Sequence, residues 1–68
     1  MIIVKEYRFS QLGPNILFRL YMDDRCRSFR KLEETVITDK MLFNAYDNAT
    51  EELIFMRPDR IVYVPECN

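Results

Sequence analysis

The sequence predicts a mainly β domain built on a small antiparallel sheet, or an α+β variant of it with one short helix near residues 28–34. Short stretches rich in β-branched and aromatic residues alternate with turn-forming residues at close spacing. The single glycine and the three prolines lie between these stretches rather than in one run. With 49% hydrophobic residues among 68, the chain is too apolar for a disordered segment, and we expect one folded domain over residues 1–68.

The first part of the chain contains two predicted strands. Residues 2–9 are rich in β-branched and aromatic side chains. A Gly-Pro-Asn sequence at 13–15 then predicts a turn. Residues 16–22 alternate between apolar side chains and others with the period of two that is typical of a half-buried strand. This second segment is the clearest strand prediction in the chain.

Residues 28–34 give conflicting signals. Phe29 and Leu32 stand at a helical spacing, and Ser28 is able to cap a helix. The four β-branched residues that follow at 35–38 favour a strand, because their side chains are restricted in a helix. We therefore expect at most a short helix near 28–34 that gives way to a strand.

The second half of the chain reads as short strands separated by turns. Turns are predicted at 39–40, 47–50 and 57–59, and strands at 41–46, 53–56 and 60–64, the last ended by Pro65. The order of strand, polar turn, strand, Pro-Asp break and short last strand resembles the end of an SH3-like barrel. That likeness implies a small antiparallel sheet curled into a barrel, which leaves few strand edges exposed.

The composition offers little to catalysis. The chain has no histidine, the commonest general base and a frequent metal ligand. Its one glycine cannot form a glycine-rich phosphate loop, and two cysteines without an imidazole fall short of the four ligands of a zinc site. We therefore expect no catalytic residue, no metal site and no cofactor, and a protein that is not an enzyme.

Basic and aromatic residues concentrate between positions 21 and 31. The predicted partner-binding residues are Tyr21, Arg25, Arg27, Phe29, Arg30 and Lys31. Arginine and aromatic side chains form the hot spots of protein interfaces, and in nucleic-acid binders they contact phosphates and stack on bases. Because the net charge is −1, which does not attract a polyanion, we favour a protein partner.

The leading hypothesis is a non-catalytic regulator or inhibitor that acts through protein–protein interaction, of the kind that phage or accessory genes encode. The alternative is a nucleic-acid or nucleotide-binding module that uses residues 25–31 as a phosphate clamp. A chain this short buries only about 60% of its unfolded surface, so we also expect a homo-oligomer that supplements the small core.

The same sequence predicts a cytoplasmic protein with no membrane partner. No apolar stretch is long enough for a signal-peptide core or a membrane span. Two cysteines, Cys26 and Cys67, are few for a small secreted domain, which usually carries a denser disulfide framework.

Overall fold

A computed structural model describes residues 2–23 and 26–67, with the backbone only at Ile2 and Cys67. The elements in chain order are β1 (Ile2–Arg8), a 3-10 turn (Phe9–Gln11), β2 (Leu17–Phe18), β3 (Phe29–Thr38), β4 (Met41–Asp47), β5 (Glu52–Ile54) and β6 (Ile61–Cys67). No α-helix occurs in this part of the chain. The prediction of a mainly β fold is confirmed.

The strands form two antiparallel sheets that meet at one point. β1 pairs with β6, and a four-stranded sheet has the order β2-β3-β4-β5. Arg19, directly after β2, forms a bridge to Tyr63 of β6, with N–H to carbonyl distances of 2.7 and 2.9 Å. The bridge places the two-stranded sheet beside β2. Over the described residues the paired strands do not close into a barrel.

Apolar side chains from both sheets form one core. Its buried members are Phe9, Leu12, Phe18, Phe29, Ala45, Met56 and Val62. The ring of Phe18 is fully buried, 5.4 Å from the Phe9 centroid in an edge contact and 5.6 Å from the Phe29 centroid in a stacked one. The two-residue strand β2 therefore supplies the side chain around which the aromatic core packs.

The expected helix near residues 28–34 is wrong. β3 passes through this segment and pairs with β2 on one side and β4 on the other. A helix of one or two turns is marginal by itself, whereas strand pairing satisfies backbone groups on both sides of the chain at Phe29 and Arg30. The β-branched residues at 35–38 continue the same strand.

The strand predicted at residues 16–22 is much shorter than expected. Only Leu17–Phe18 belongs to a strand, and after the bridge at Arg19 the chain bends. The strand predicted from the alternation of apolar residues is confirmed only where a neighbouring strand pairs with it. Leu17 and Phe18 have that neighbour in β3, and the segment beyond Arg19 leaves the sheet.

The last strand does not end at Pro65. β6 continues to Cys67, and Pro65 stands opposite Val4 of β1. Proline is accepted in a strand where no ladder hydrogen bond has to be donated, which is a question of register rather than of residue type alone. The turn predicted at 57–59 is confirmed, since residues 58 and 59 form a turn between β5 and β6.

The hairpin that joins β3 to β4 has the tight turn that the sequence predicts. Asp39 and Lys40 both have positive φ, 45° and 65°, and Thr38 pairs with Met41 across them. Two consecutive positive φ values are typical of a type I′ turn, whose twist matches that of the flanking strands. The turn fixes the register of the hairpin from Thr38 and Met41 back to Val36 and Phe43.

Candidate protein-binding surface

The four-stranded sheet has one face in the core and one in solvent. Residues directly opposite each other in antiparallel strands point to the same side of the sheet. One cross-strand row holds Phe18, Phe29 and Asp47, which are 0%, 2% and 4% exposed. The neighbouring row faces away from the core because side chains alternate along each strand. This outer row consists of Leu17, Arg30, Tyr46 and Leu53.

An arginine and a tyrosine form the centre of the outer row. The Arg30 guanidinium carbon lies 5.5 Å from the Tyr46 ring centroid, and Arg30 Nη1 donates a hydrogen bond to Asn15 Oδ1 at 3.1 Å. Asn15 is itself held in place, because its N–H donates to the Lys31 carbonyl at 2.9 Å. The guanidinium thus has two partners within the protein, a side-chain oxygen and an aromatic ring.

Apolar side chains flank this pair. Leu17 and Leu53, at the two ends of the outer row, are 51% and 40% exposed, and Leu42 is 44% exposed. Leu42 precedes Tyr46 by four residues on β4, so both side chains leave the same side of the sheet. We define the outer surface as the outer row together with Leu42.

The predicted basic and aromatic cluster does not lie on one face. β3 places Arg30 on the outer surface, and Phe29 and Lys31 on the core side, since successive strand residues point in opposite directions. Phe29 is buried in the core, so its side chain does not contribute to the surface that Arg30 presents. Tyr21 is 65% exposed in the bend after β2. Arg25 lies outside the described residues.

Lys31 is bound to the protein's own backbone. Its Nζ donates to the carbonyl of Leu12 at 2.6 Å and to that of Phe9 at 3.3 Å, and lies 4.9 Å from the Phe9 ring centroid. These contacts join β3 to the 3-10 turn. The Lys31 amine therefore supports the fold, and two of its hydrogen-bond donors are used within the protein rather than by an external partner.

Arg27 is the counter-ion of a buried carboxylate. Its Nη2 lies 2.7 Å from Asp47 Oδ2, and Asp47 Oδ1 accepts hydrogen bonds from the N–H groups of Ala49 at 2.9 Å and Thr50 at 3.4 Å. Burial acts to raise the pKa of Asp47, but the hydrogen bonds from Arg27 and the two amides outweigh it and hold that pKa below its ordinary 3.8.

Asp47 makes the stability of the protein sensitive to acid. Because its pKa is lower in the folded state, its contribution to stability is complete above the unfolded-state pKa and is lost as pH falls through the folded-state value. Asp47→Asn should therefore lower the melting temperature at neutral pH, and should reduce the further drop between neutral pH and about pH 3. Thermal melts of both proteins at the two pH values measure this.

Glu66 is the control for that experiment. Hydrogen bonds from Tyr7 and Lys5 hold its pKa below the ordinary 4.5, so Asp47→Asn should retain part of the acid sensitivity. Glu66→Gln should remove the part of the acid sensitivity that comes from Glu66. Equal acid sensitivity in the wild type and in Asp47→Asn would contradict the assignment to Asp47.

The outer surface contains four residues that the sequence analysis did not single out: Leu17, Leu42, Tyr46 and Leu53. What places these residues on one face is the strand register. Each of them either pairs with another member across two strands or lies an even number of residues from one on the same strand. The turn at 39–40 sets the pairing of β3 with β4, but a bulge between Lys31 and Val36 shifts it. Local patterns therefore do not show which residues share this face.

No family model matches the chain, and no match was found among curated proteins or among solved structures. Within the described ranges, no three His, Cys, Asp or Glu side chains are grouped as metal ligands would be. In the same part of the chain, no helix is long and apolar enough to cross a membrane.

Proposed function

We propose that this protein is a non-catalytic binding protein, a small cytoplasmic regulator or inhibitor, that contacts a protein partner through its outer surface. The observation that carries the proposal is the outer row, in which two exposed leucines flank the Arg30–Tyr46 pair on a sheet whose other face is packed. Arginine and tyrosine are enriched in hot spots, and a pair already in contact loses less freedom on binding.

The basic side chains at positions 27, 30 and 31 are bonded within the protein, which supports a protein partner over a nucleic acid. Arg27 is bonded to Asp47, Lys31 to two backbone carbonyls and Arg30 to Asn15. Binding to a phosphate backbone depends on several cations that each neutralise a phosphate. The outer surface instead presents one cation among apolar side chains, which is the composition of a protein interface core.

An SH3-like arrangement of the curled sheet remains part of this proposal. It is supported by the pairing of β1 with β6, by the bridge from Arg19 to Tyr63 and by the turn before β6. The outer surface faces away from the core, where a partner has open access.

The test compares alanine variants on and off the outer surface, with Leu53 and Ile61 as a pair of aliphatic residues of nearly equal exposure. Leu53, in the outer row, is 40% exposed, and Ile61, on β6, is 39% exposed. Each variant is immobilised, a host lysate treated with nuclease is passed over it, and bound proteins are quantified by mass spectrometry. We expect Leu53→Ala and Tyr46→Ala to reduce recovery of the same protein by about tenfold, and Ile61→Ala to retain it.

A labelled single-stranded oligonucleotide distinguishes the alternative. Submicromolar binding that falls log-linearly with salt and is weakened by Arg30→Ala would favour the nucleic-acid module. Equal protein recovery by Leu53→Ala and Ile61→Ala would contradict the proposed surface. Melting curves of all variants confirm that the compared proteins are folded.

A further inference from the structure

A cleft of about 200 Å³ lies between the β1–β6 sheet and the chain segment before β2. The sheet side of the cleft is formed by Tyr7, Val64 and Glu66, and the other side by residues 11–16. Tyr7 pairs with Val62, so its side chain is on the same side of the sheet as those of Val64 and Glu66. The described lining residues include no member of the outer surface, so binding in the cleft does not depend on the proposed function.

Both sides of the cleft are apolar and are held in place. Tyr7 and Val64 pack against the core, and Leu12 on the opposite side is buried. Lys31 fixes that opposite side, because its Nζ donates to the Leu12 carbonyl at 2.6 Å and its N–H donates to the Ile16 carbonyl at 3.0 Å. An aliphatic group that enters the cleft is therefore removed from water without a rearrangement of the walls.

The single glycine of the chain contributes to the open space. Gly13 lines the cleft, and its φ is not positive, so its backbone conformation does not require glycine. A Cβ atom at this position would have Ile16 Cγ1 as its nearest neighbour, at 3.9 Å, which is an ordinary contact distance. The missing side chain thus leaves room that the side chain of another molecule can use.

A carboxylate lines the cleft beside these apolar groups. Glu66 Oε1 accepts a hydrogen bond from the Tyr7 hydroxyl at 3.0 Å, and Lys5 Nζ lies 3.3 Å from Glu66 Oε2. These contacts hold the pKa of Glu66 below its ordinary 4.5, so the group is charged at neutral pH. A carboxylate has about four acceptor positions, and each oxygen retains capacity for a further donor.

The size and the charge of the cleft limit what it can bind. Sites for drug-sized ligands measure about 300–1,000 Å³, whereas a cavity of about 150 Å³ accepts benzene. A volume of about 200 Å³ therefore suits one amino-acid side chain rather than a nucleotide. The carboxylate of Glu66 repels an anion and favours a cation, which gains a charge-assisted hydrogen bond.

We propose that the cleft binds an arginine side chain of a partner protein, with its aliphatic part against Val64 and Ile16 and its guanidinium on Glu66. The planar fork of donors in a guanidinium matches the remaining acceptor positions on the two carboxylate oxygens. Lys5 is a weak competitor, since its side chain is 56% exposed and an exposed ion pair contributes little.

A pair of small probes tests the charge preference. N-acetyl-arginine methylamide and its citrulline analogue have nearly the same shape, but only the first is charged. In NMR titrations of the intact ¹⁵N-labelled chain, we expect the arginine probe to shift the amide signals of residues 11–16 and 62–66 with a dissociation constant of about 1–10 mM. The citrulline probe should bind about tenfold more weakly. Equal affinities, or no saturable shift at about 50 mM arginine probe, would overturn the proposal.

Three variants locate the charge. Glu66→Gln should weaken binding of the arginine probe about tenfold and leave the citrulline probe unchanged, because it removes the charge and keeps the shape. Glu6→Gln is the matched control, since Glu6 is exposed on the opposite side of the same sheet, and it should bind both probes as the wild type does. Lys5→Met should strengthen binding of the arginine probe about threefold, because a competing cation is removed.

Thermal melts show that each variant is folded. Equal weakening by Glu66→Gln and Glu6→Gln would indicate attraction by net charge alone and would overturn the proposal. Leu53→Ala should bind the arginine probe as the wild type does, so a failure of the cleft and a failure of the outer surface give different results. Signal shifts confined to Arg30 and Tyr46 would place the probe on the outer surface and would also overturn the proposal.

Discussion

Phe18→Ala is expected to remove about half or more of the free energy of unfolding of the protein. The ring of Phe18 is fully buried between those of Phe9 and Phe29, and β2 has no other buried side chain. Removing a buried phenylalanine side chain costs about 3–5 kcal/mol. The whole stability of a 68-residue domain is of the order of 3–10 kcal/mol. Urea denaturation followed by circular dichroism measures the change.

Phe55→Ala is the matched control for this variant. Phe55 follows β5 and is 53% exposed, so the same substitution there should change the free energy of unfolding by about 0.5 kcal/mol or less. Phe18→Leu should fall between the two, because it keeps most of the apolar volume. Similar stability of Phe18→Ala and Phe55→Ala would contradict the position of β2 in the core.

Lys31→Met should lower the free energy of unfolding by about 1–3 kcal/mol, because the part-buried carbonyls of Phe9 and Leu12 lose a charged donor. Methionine retains most of the aliphatic chain, which separates the loss of the hydrogen bonds from a loss of packing. Chemical denaturation curves with equal slopes for the two proteins would permit the comparison.

Lys5→Met provides the comparison for Lys31→Met. Lys5 Nζ lies 3.3 Å from Glu66 Oε2, and its side chain is 56% exposed, so the exposed pair should contribute little. If Lys31→Met instead proves as stable as the wild type but loses a binding partner, Lys31 is a contact residue, as the sequence analysis expected, and its role in the fold is wrong.

Local sequence patterns predict most of the strands but not their extent. β1 and β4 begin and end within a residue or two of the predicted bounds, because β-branched and aromatic residues are followed there by clear turn signals. The short helix near 28–34 was wrong because Phe29 and Leu32 fit both a helical spacing and an irregular strand. Pairing with two neighbours decides between them, and pairing is not local.

The side chain of Asn44 takes the place of a backbone partner beside β5, which the spacing of apolar residues in the sequence does not predict. Asn44 Nδ2 donates to the carbonyl of Met56 at 2.8 Å, and Asn44 Oδ1 accepts the N–H of Met56 at 2.7 Å. The amide thus continues the β4–β5 pairing beyond the end of β5 at Ile54. The strand predicted at 53–56 thus ends at Ile54 in the structure, and a side chain bonds the backbone of Met56.

The candidate site was predictable only in part. Arg30 lies on the outer surface, but its neighbours in sequence, Phe29 and Lys31, lie on the core side. Whether a run of basic and aromatic residues shares one face depends on its local structure. Here the run lies in a strand, so its side chains alternate between the two faces of the sheet. The aromatic partner of Arg30 is Tyr46, which the pairing of β3 with β4 brings opposite it.

Titration calorimetry with the purified partner tests the outer surface most directly. The affinities of the wild type, Leu53→Ala and Ile61→Ala are measured at two salt concentrations. We predict that Leu53→Ala weakens binding by about tenfold or more, that Ile61→Ala has little effect, and that salt changes either affinity only slightly. Equal affinities for the two variants, or a steep log-linear loss of affinity with salt, would contradict binding through the Arg30–Tyr46 face.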